Sequence, residues 1–331
     1  MNYKEKYLKY KLKYLKLSMI QKGGTHQKPT DRLVYEGETN LLEYKKRNED
    51  RIGIFFSPDE KPTEFEEGVT IAVINNRTIN IIKSDISGRL IAEFDINTYL
   101  FDLETNLSYR CRTIMLNDKE IIFFGRKFGE NICSILNTDT KDIISIVNNY
   151  DNLEIVKNTK LKNQLLMGYF RLLSEKNYIY SVSLLNYDET IHKLNNVLTI
   201  ELMWKNGEKF NRIKLLSLKE NNDNIYVLFQ SFKNYTDVTT YVQIYKKDGT
   251  LLKEITLDKK LDMYEDIEFT TDNKIIVVCN TDTGYSLFII NEDGEIINQI
   301  YQDDKLAYSC YSRNGKLFVI TDYTIDKFKN E

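Results

Sequence analysis

Only two histidines, three prolines, four cysteines and one tryptophan occur in these 331 residues. Each scarcity excludes something. His192 is the one histidine beyond residue 30, so a Ser-His or Cys-His nucleophile pair in the body would have to use it. It sits in the polar stretch DETIHKLNN, which reads as an exposed loop. Cys111, Cys133, Cys279 and Cys310 are too scattered for a disulfide framework or for metal-ligand spacing, which points to reduced thiols. Cys133 and Cys279 lie in apolar runs and read as small core residues. No stretch approaches the roughly 18 consecutive apolar residues of a spanning helix. Lysines interrupt the N-terminal segment too often for a signal peptide. GxSxG, HExxH, CxxC, GxGxxG and P-loop patterns are all missing, and the better-defined hydrolase, zinc and nucleotide chemistries go with them. The expectation is a protein that is not an enzyme, is not secreted and carries no cofactor.

Strand and turn signals are abundant instead. Ser87-Gly88, Asn206-Gly207, Asp248-Gly249 and Asp293-Gly294 follow the apolar strands INIIKS, LTIELMW, YVQIYKK and YSLFIIN, and another strand follows each. Asn-Gly and Asp-Gly accept the positive φ of a primed turn at little steric cost, so these are read as tight hairpins. A glycine-less turn at Asp139 to Asp142 fills the gap in the series. A second series, near Asn117-Asp118, Glu175-Lys176, Asn222-Asp223, Asp272-Asn273 and Asn314-Gly315, falls half a repeat away and precedes IIFFG, YIYSVSL, IYVLFQSF, IIVVC and LFVIT.

Two hairpins, or four strands in about 40 to 65 residues, make one propeller blade. The expected fold is all-β: a single closed β-propeller over 32–331 with six four-stranded blades. They are placed at about 50–97, 107–148, 164–213, 214–257, 264–301 and from 305 onward. The last has only three strands, AYSCYS, KLFVIT and TIDKF, while RLVYEG or NLLEYK at 32–45 is left over. That N-terminal strand is expected to complete the last blade and leave no long edge. Seven blades follow instead if 32–60 forms more than one strand of its own, with 150–163 and 186–197 as insertions. A large β-sandwich is the remaining alternative.

Residues 1–24 are written differently. Tyr3, Tyr7, Tyr10, Tyr14 and Leu17 recur at spacings of 4, 3, 4 and 3, and Leu8, Leu12, Leu15 and Met19 form an adjoining series, as on a short amphipathic helix. Seven lysines stand against Glu5 there, a net +6; with the chain at −3, residues 25–331 carry −9. Alone in water such a helix is marginal. Gly23 and Gly24 end it, and 25–31 reads as a flexible tether.

Residues 6–17, KYLKYKLKYLKL, closed by Gln21, Lys22, Gly23 and Gly24, resemble the N-terminal KYLKYKxKYLxLKxxxGG element of many otherwise unrelated proteins of mimivirus-like giant viruses. The resemblance covers 24 of 331 residues and concerns origin rather than activity. It implies a location in the virion or the viral factory in host cytoplasm, with capsid, core or assembly proteins as partners. The docking surface would be Tyr7, Leu8, Tyr10, Leu12, Tyr14 and Leu15. Those viruses also resemble their relatives in having cysteine proteases that cleave after Gly-Gly, which implies processing at Gly23, Gly24 and Thr25. Two glycines without Cβ atoms would give such a protease an uncluttered strand. The plain alternative is a permanent basic helix docked on a partner or on anionic lipid. The body resembles no family.

Within the body, Trp204 is either a ligand platform or a cap on the core between blades. The acids Glu66-Glu67, Asp303-Asp304 and Asp262 with Glu265 and Asp266 fall in expected turns, where solvated carboxylates are ordinary. The −9 body disfavours nucleic acid. Two functions remain: a noncatalytic propeller scaffold, and a propeller that binds or cleaves glycans. Three or more polar groups from different blades converging on the channel would favour the second.

Overall fold

The computed structural model describes residues 33–40, 52–55, 69–74, 78–84, 90–97 and most of 112–330. The expected helix over 1–24, with Tyr7, Leu8, Tyr10, Leu12, Tyr14, Leu15, Gly23 and Gly24, and the tether from Thr25, lie outside the described residues.

The described strands form six four-stranded antiparallel sheets. Sheet I is β2–β5 (Ile52–Phe55, Val69–Ile74, Thr78–Ser84, Leu90–Asn97) and sheet II is β6–β9 (Arg112–Met115, Glu120–Lys127, Glu130–Asn137, Ile143–Ile146). Sheet III is β10–β13 (Leu153–Asn158, Gln164–Ser174, Asn177–Asp188, Lys193–Glu201), and sheet IV is β14–β17 (Ile213–Asn221, Asn224–Phe232, Val238–Lys246, Leu251–Thr256). Sheet V is β18–β21 (Met263–Phe269, Ile275–Thr281, Gly284–Ile290, Ile296–Asp303). Sheet VI is β22–β24 (Ala307–Arg313, Lys316–Thr321, Thr324–Asn330) with β1 (Leu33–Asn40) added outside β24. The first strands of successive sheets lie against one another, from β2 to β6 and on to β22. They make the inner wall of a propeller arrangement, with the sheets stacked face to face around it.

Burial follows from that packing. The middle strands β19 and β20 face a neighbouring sheet on both sides, and β20 is buried throughout, whereas the outer strand β21 is largely exposed. The apolar side chains form clusters between consecutive sheets: Leu166, Val182, Leu218 and Val227 between III and IV, and Leu228, Val242, Ile267 and Val277 between IV and V. The N-terminal strand is held by more than its ladder. Glu38 and Asp326 are cross-strand partners, a like-charge pair that would repel. Lys305 hydrogen-bonds to both carboxylates and neutralises the pair.

The turn chemistry is as the residue types require. Asn222 and Asp223 both take positive φ, 48° and 61°, the pair of values a primed two-residue hairpin needs. Gly249 and Gly294 differ from the expected primed turns: each is the single left-handed residue, at 88° and 86°, closing a three-residue loop in which Gly249 N–H bonds to Lys246 O and Gly294 N–H to Asn291 O.

Sheet III differs from the expectation. It begins at Leu153 rather than 164, and 150–163 and 186–197 supply strands β10, β12 and β13 rather than insertions. Asn206-Gly207 is a real turn, with Gly207 at φ 82° and its N–H on Trp204 O at 2.8 Å. However, it lies between sheets III and IV, where it closes a single antiparallel bridge from Met203 to Lys209 rather than joining two strands of one sheet. Trp204 and Phe210 pack at 4.4 Å and draw the chain inward there. The hairpin position falls instead to Glu189–His192, where His192 takes φ 50°. A favourable Asn-Gly pair outweighed this glycine-less turn in the sequence.

Candidate functional site

A backbone irregularity shared by four sheets builds the inner wall. β10, β14, β18 and β22 each carry a bulge near the start, between Leu153 and Ile155, Leu215 and Ser217, Tyr264 and Asp266, and Ala307 and Ser309. A bulge bends its strand and re-aims the side chains that follow. Ile155, Ser217, Asp266 and Ser309 are therefore structural equivalents, and two residues on so are Lys157, Lys219, Glu268 and Tyr311. These two rows hold the polar groups of the channel.

Asp266 is the centre of the first row. Its side chain is 2% exposed. Oδ2 accepts from Lys157 Nζ at 2.8 Å and from the Cys310 amide at 3.0 Å; Oδ1 accepts from the Ser217 hydroxyl and the Ile267 amide. One carboxylate thus collects donors from sheets III, IV, V and VI. Glu268 repeats the scheme in the second row, accepting from Lys219 Nζ and the Ser312 amide through Oε2 and from the Phe269 amide through Oε1. Glu154, a bulge residue, accepts from the Leu215 amide at 3.0 Å. The physical reason is common to all three. A first strand has no further strand on its inner edge, and its buried amides need acceptors.

The electrostatics follow the same pairs. Burial alone would lower the Lys219 pKa, but Glu268 and the neighbouring Tyr311 and Asp266 outweigh it and hold the ammonium above its ordinary range. Its Nζ stands 4.9 Å from the centre of the Tyr311 ring. Burial, reinforced by Asp266 and Glu268, pushes the Cys310 thiol well up, so it is an inert neighbour rather than a nucleophile. Burial also raises the Glu265 carboxyl above its ordinary value.

Where the second row meets the first hairpin turns of sheets IV to VI there is a cavity of about 280 Å³. Lys219, Glu268, Tyr311 and Ser312 form its inner side, and Asn221, Asn273 and Lys316 its outer side.

The other sequence candidates are dispersed. Asp266 is a buried residue of β18 and not a solvated turn carboxylate, because the bulge turns it into the wall. Asp303 and Asp304 are exposed at the end of β21, and Glu66 and Glu67 lie outside the described residues. Trp204 caps the core between sheets III and IV, against Phe210, Phe229 and Tyr241. His192 is on the rim, its Nδ1 2.6 Å from the Tyr187 hydroxyl. Burial, followed by Glu120, raises Tyr187. Beside it the Asn117 amide reaches Glu120, Asn163 and Glu189 at 2.8, 2.9 and 3.0 Å, tying sheet II to sheet III. Cys133, Cys279 and Cys310 are buried thiols. Lys157, Ser217, Lys219, Glu268 and Tyr311 were not singled out in the sequence. Their signal is charged or hydroxyl residues inside the strand that opens each repeat, legible only once the bulge fixes the alignment.

Among the described residues no group of three or more His, Cys, Asp or Glu could hold a metal ion, and no helix is long and apolar enough to cross a membrane. No family model and no curated protein matches the chain. Solved structures do resemble it. A Kuenenia stuttgartiensis hydrazine synthase is 10% identical over 90% of this chain and 76% of its own, with a TM-score of 0.49. A subtype N10 neuraminidase-like protein of A/little yellow-shouldered bat/Guatemala is 9% identical over 93% and 96%, at 0.46. The Pyrococcus horikoshii acylaminoacyl peptidase is 13% identical over 80% of this chain and 43% of its own, at 0.43. These neighbours include enzymes.

Proposed function

We propose that this chain is a noncatalytic interaction scaffold, a single six-bladed propeller closed by β1, directed by residues 1–24 to a giant-virus particle or its assembly site. The observation that carries the noncatalytic part is the saturation of Asp266. Four donors from four sheets occupy its two oxygens, so it has no lone pair to offer a substrate proton. Glu268 is likewise committed to amides and Lys219. These carboxylates lock the inner wall, and the binding surfaces are then the rim and turns. The viral destination rests on the resemblance of residues 6–24. It is tested by mass spectrometry of purified particles and of infected-cell cytoplasm. Peptides of this chain in particles are expected, with an N-terminus at Thr25 if the element is removed and at Met1 if it is a permanent dock. Absence from particles would sink the virion reading.

A second reading, a propeller that binds or cleaves glycans, is favoured by the convergence of Lys157, Lys219, Asp266 and Glu268 from three sheets beside a cavity. A panel of immobilised glycans probed with the full chain tests it. Specific capture of one glycan would displace the scaffold reading.

A further inference from the structure

We infer that the cavity beside Lys219 is a binding site for a small organic oxyanion, a carboxylate or phosphate monoester on a body with an apolar face. This goes beyond the scaffold reading and does not depend on it. The volume, about 280 Å³, is at the small end of ligand cavities. Lys219 makes one hydrogen bond among the described residues, to Glu268. An ammonium carries three donors, so two remain at the wall of a cavity where its side chain is only 13% exposed. Glu268 has less to spare: Lys219 and the Ser312 amide fill Oε2, and the Phe269 amide takes one of the two positions on Oε1. Asn273 lends its Oδ1 to Asn221 Nδ2 at 3.1 Å, which leaves its own amide N–H groups without a partner among the described residues. Lys316 lines the same cavity, with Glu36 at 3.5 Å. Glu268 and Glu36 balance the charges of Lys219 and Lys316, so what the wall offers is unused N–H donors, the complement of an oxyanion. Leu33, Phe269, Ile276 and Leu317, with the ring of Tyr311, give the apolar side.

The test is isothermal titration of the full chain at low salt with gluconate, glucose 6-phosphate, glucose and inorganic phosphate. One organic anion is expected to bind with Kd below about 1 mM and glucose not at all; which anion binds separates carboxylate from phosphate. Lys219→Met should weaken binding by about tenfold or more, on the order of one charged hydrogen bond. That variant leaves Glu268 buried without its lysine and can fail to fold. Asn273→Gly is the second variant: it keeps the positive φ of 67°, removes the amide and should weaken binding about threefold. Silence of every probe at about 10 mM would overturn the inference. Glucose binding as tightly as its phosphate, inorganic phosphate as tightly as either organic anion, or undiminished binding in folded variants would do the same.

Discussion

Replacing Asp266 by alanine removes one carboxylate and leaves partners stranded in four sheets. The Ile267 and Cys310 amides lose acceptors at 3.0 Å each, the Ser217 hydroxyl loses its carboxylate partner, and Lys157 loses an ion pair at 2.8 Å. A buried amide left unsatisfied costs about 1–3 kcal/mol, and breaking a buried ion pair from one side costs about 3–5 kcal/mol. These overlap, since all share one group, so the expected loss is about 4 kcal/mol rather than their sum. For a domain this large that corresponds to a fall in Tm of roughly 6 °C. The control is Asp293→Ala, which breaks the Lys253–Asp293 pair at 3.1 Å. Both partners are more than a third exposed, so it should cost less than about 1 kcal/mol. Urea unfolding followed by fluorescence, with both variants beside the parent, reads the difference as a shift in midpoint at constant slope. A loss within about 1 kcal/mol of the control would refute the idea that this carboxylate holds the inner wall, because a group so placed cannot be lost cheaply.

Gly284→Ala should be worse than its size suggests, because a Cβ there would stand 2.0 Å from the Gln302 backbone oxygen. β20 and β21 would have to part at a cost of about 3 kcal/mol or more, read by thermal unfolding. Glu265→Gln should stabilise the protein at pH 7, read as a rise in Tm. Its folded pKa is raised above the ordinary 4.5 by burial, so the charged form is penalised; that penalty sets in as pH rises past the unfolded value and is complete above the folded one. The gain should vanish in melts below pH 4.5. Glu38 has the opposite sign. The Lys305 hydrogen bond lowers its pKa, so its contribution is present above the ordinary 4.5 and is lost as pH falls through the depressed folded value. Amide exchange in β1 should accelerate there before exchange in β23 does, and Lys305→Met should give the same acceleration at pH 7.

The proposed noncatalytic scaffold and the proposed small-anion cavity are compatible, because the carboxylate argued to lock the wall and the lysine argued to bind an anion stand in different rows. The first row, around Asp266, is closed by its own donors. The second row keeps two unused donors on Lys219, at the end where the inner strands open towards the turns. A propeller offers such a position cheaply, since each first strand needs acceptors for its inner amides and whatever charge balances those acceptors then lines the channel.

Much of the fold was legible because it is written in local rules. Turn residues such as Asn222-Asp223, in a primed turn, and Asp248-Gly249, in a three-residue loop closed by the glycine, fix hairpins whatever surrounds them, and apolar runs such as IIVVC mark strands buried on both faces. The pairing of the N-terminal strand with β24 also followed from a three-stranded remainder that would otherwise expose an edge. Sheet III was misplaced where two local signals competed. Asn206-Gly207 looks like the better hairpin, but the packing of Trp204 on Phe210 assigns that turn to the junction between sheets. The channel was not legible at all. Bulges one residue long decide whether Asp266 faces solvent or the wall, and a one-residue shift in a strand reverses every side chain after it. Sequence by itself determined a repetitive all-β chain and a basic first segment of a different style, because turn and strand preferences act over a few residues. Tertiary structure alone decided that Lys157, Ser217, Asp266 and the Cys310 amide meet, because they lie up to 153 residues apart and are joined only by the curvature that the stacked sheets impose.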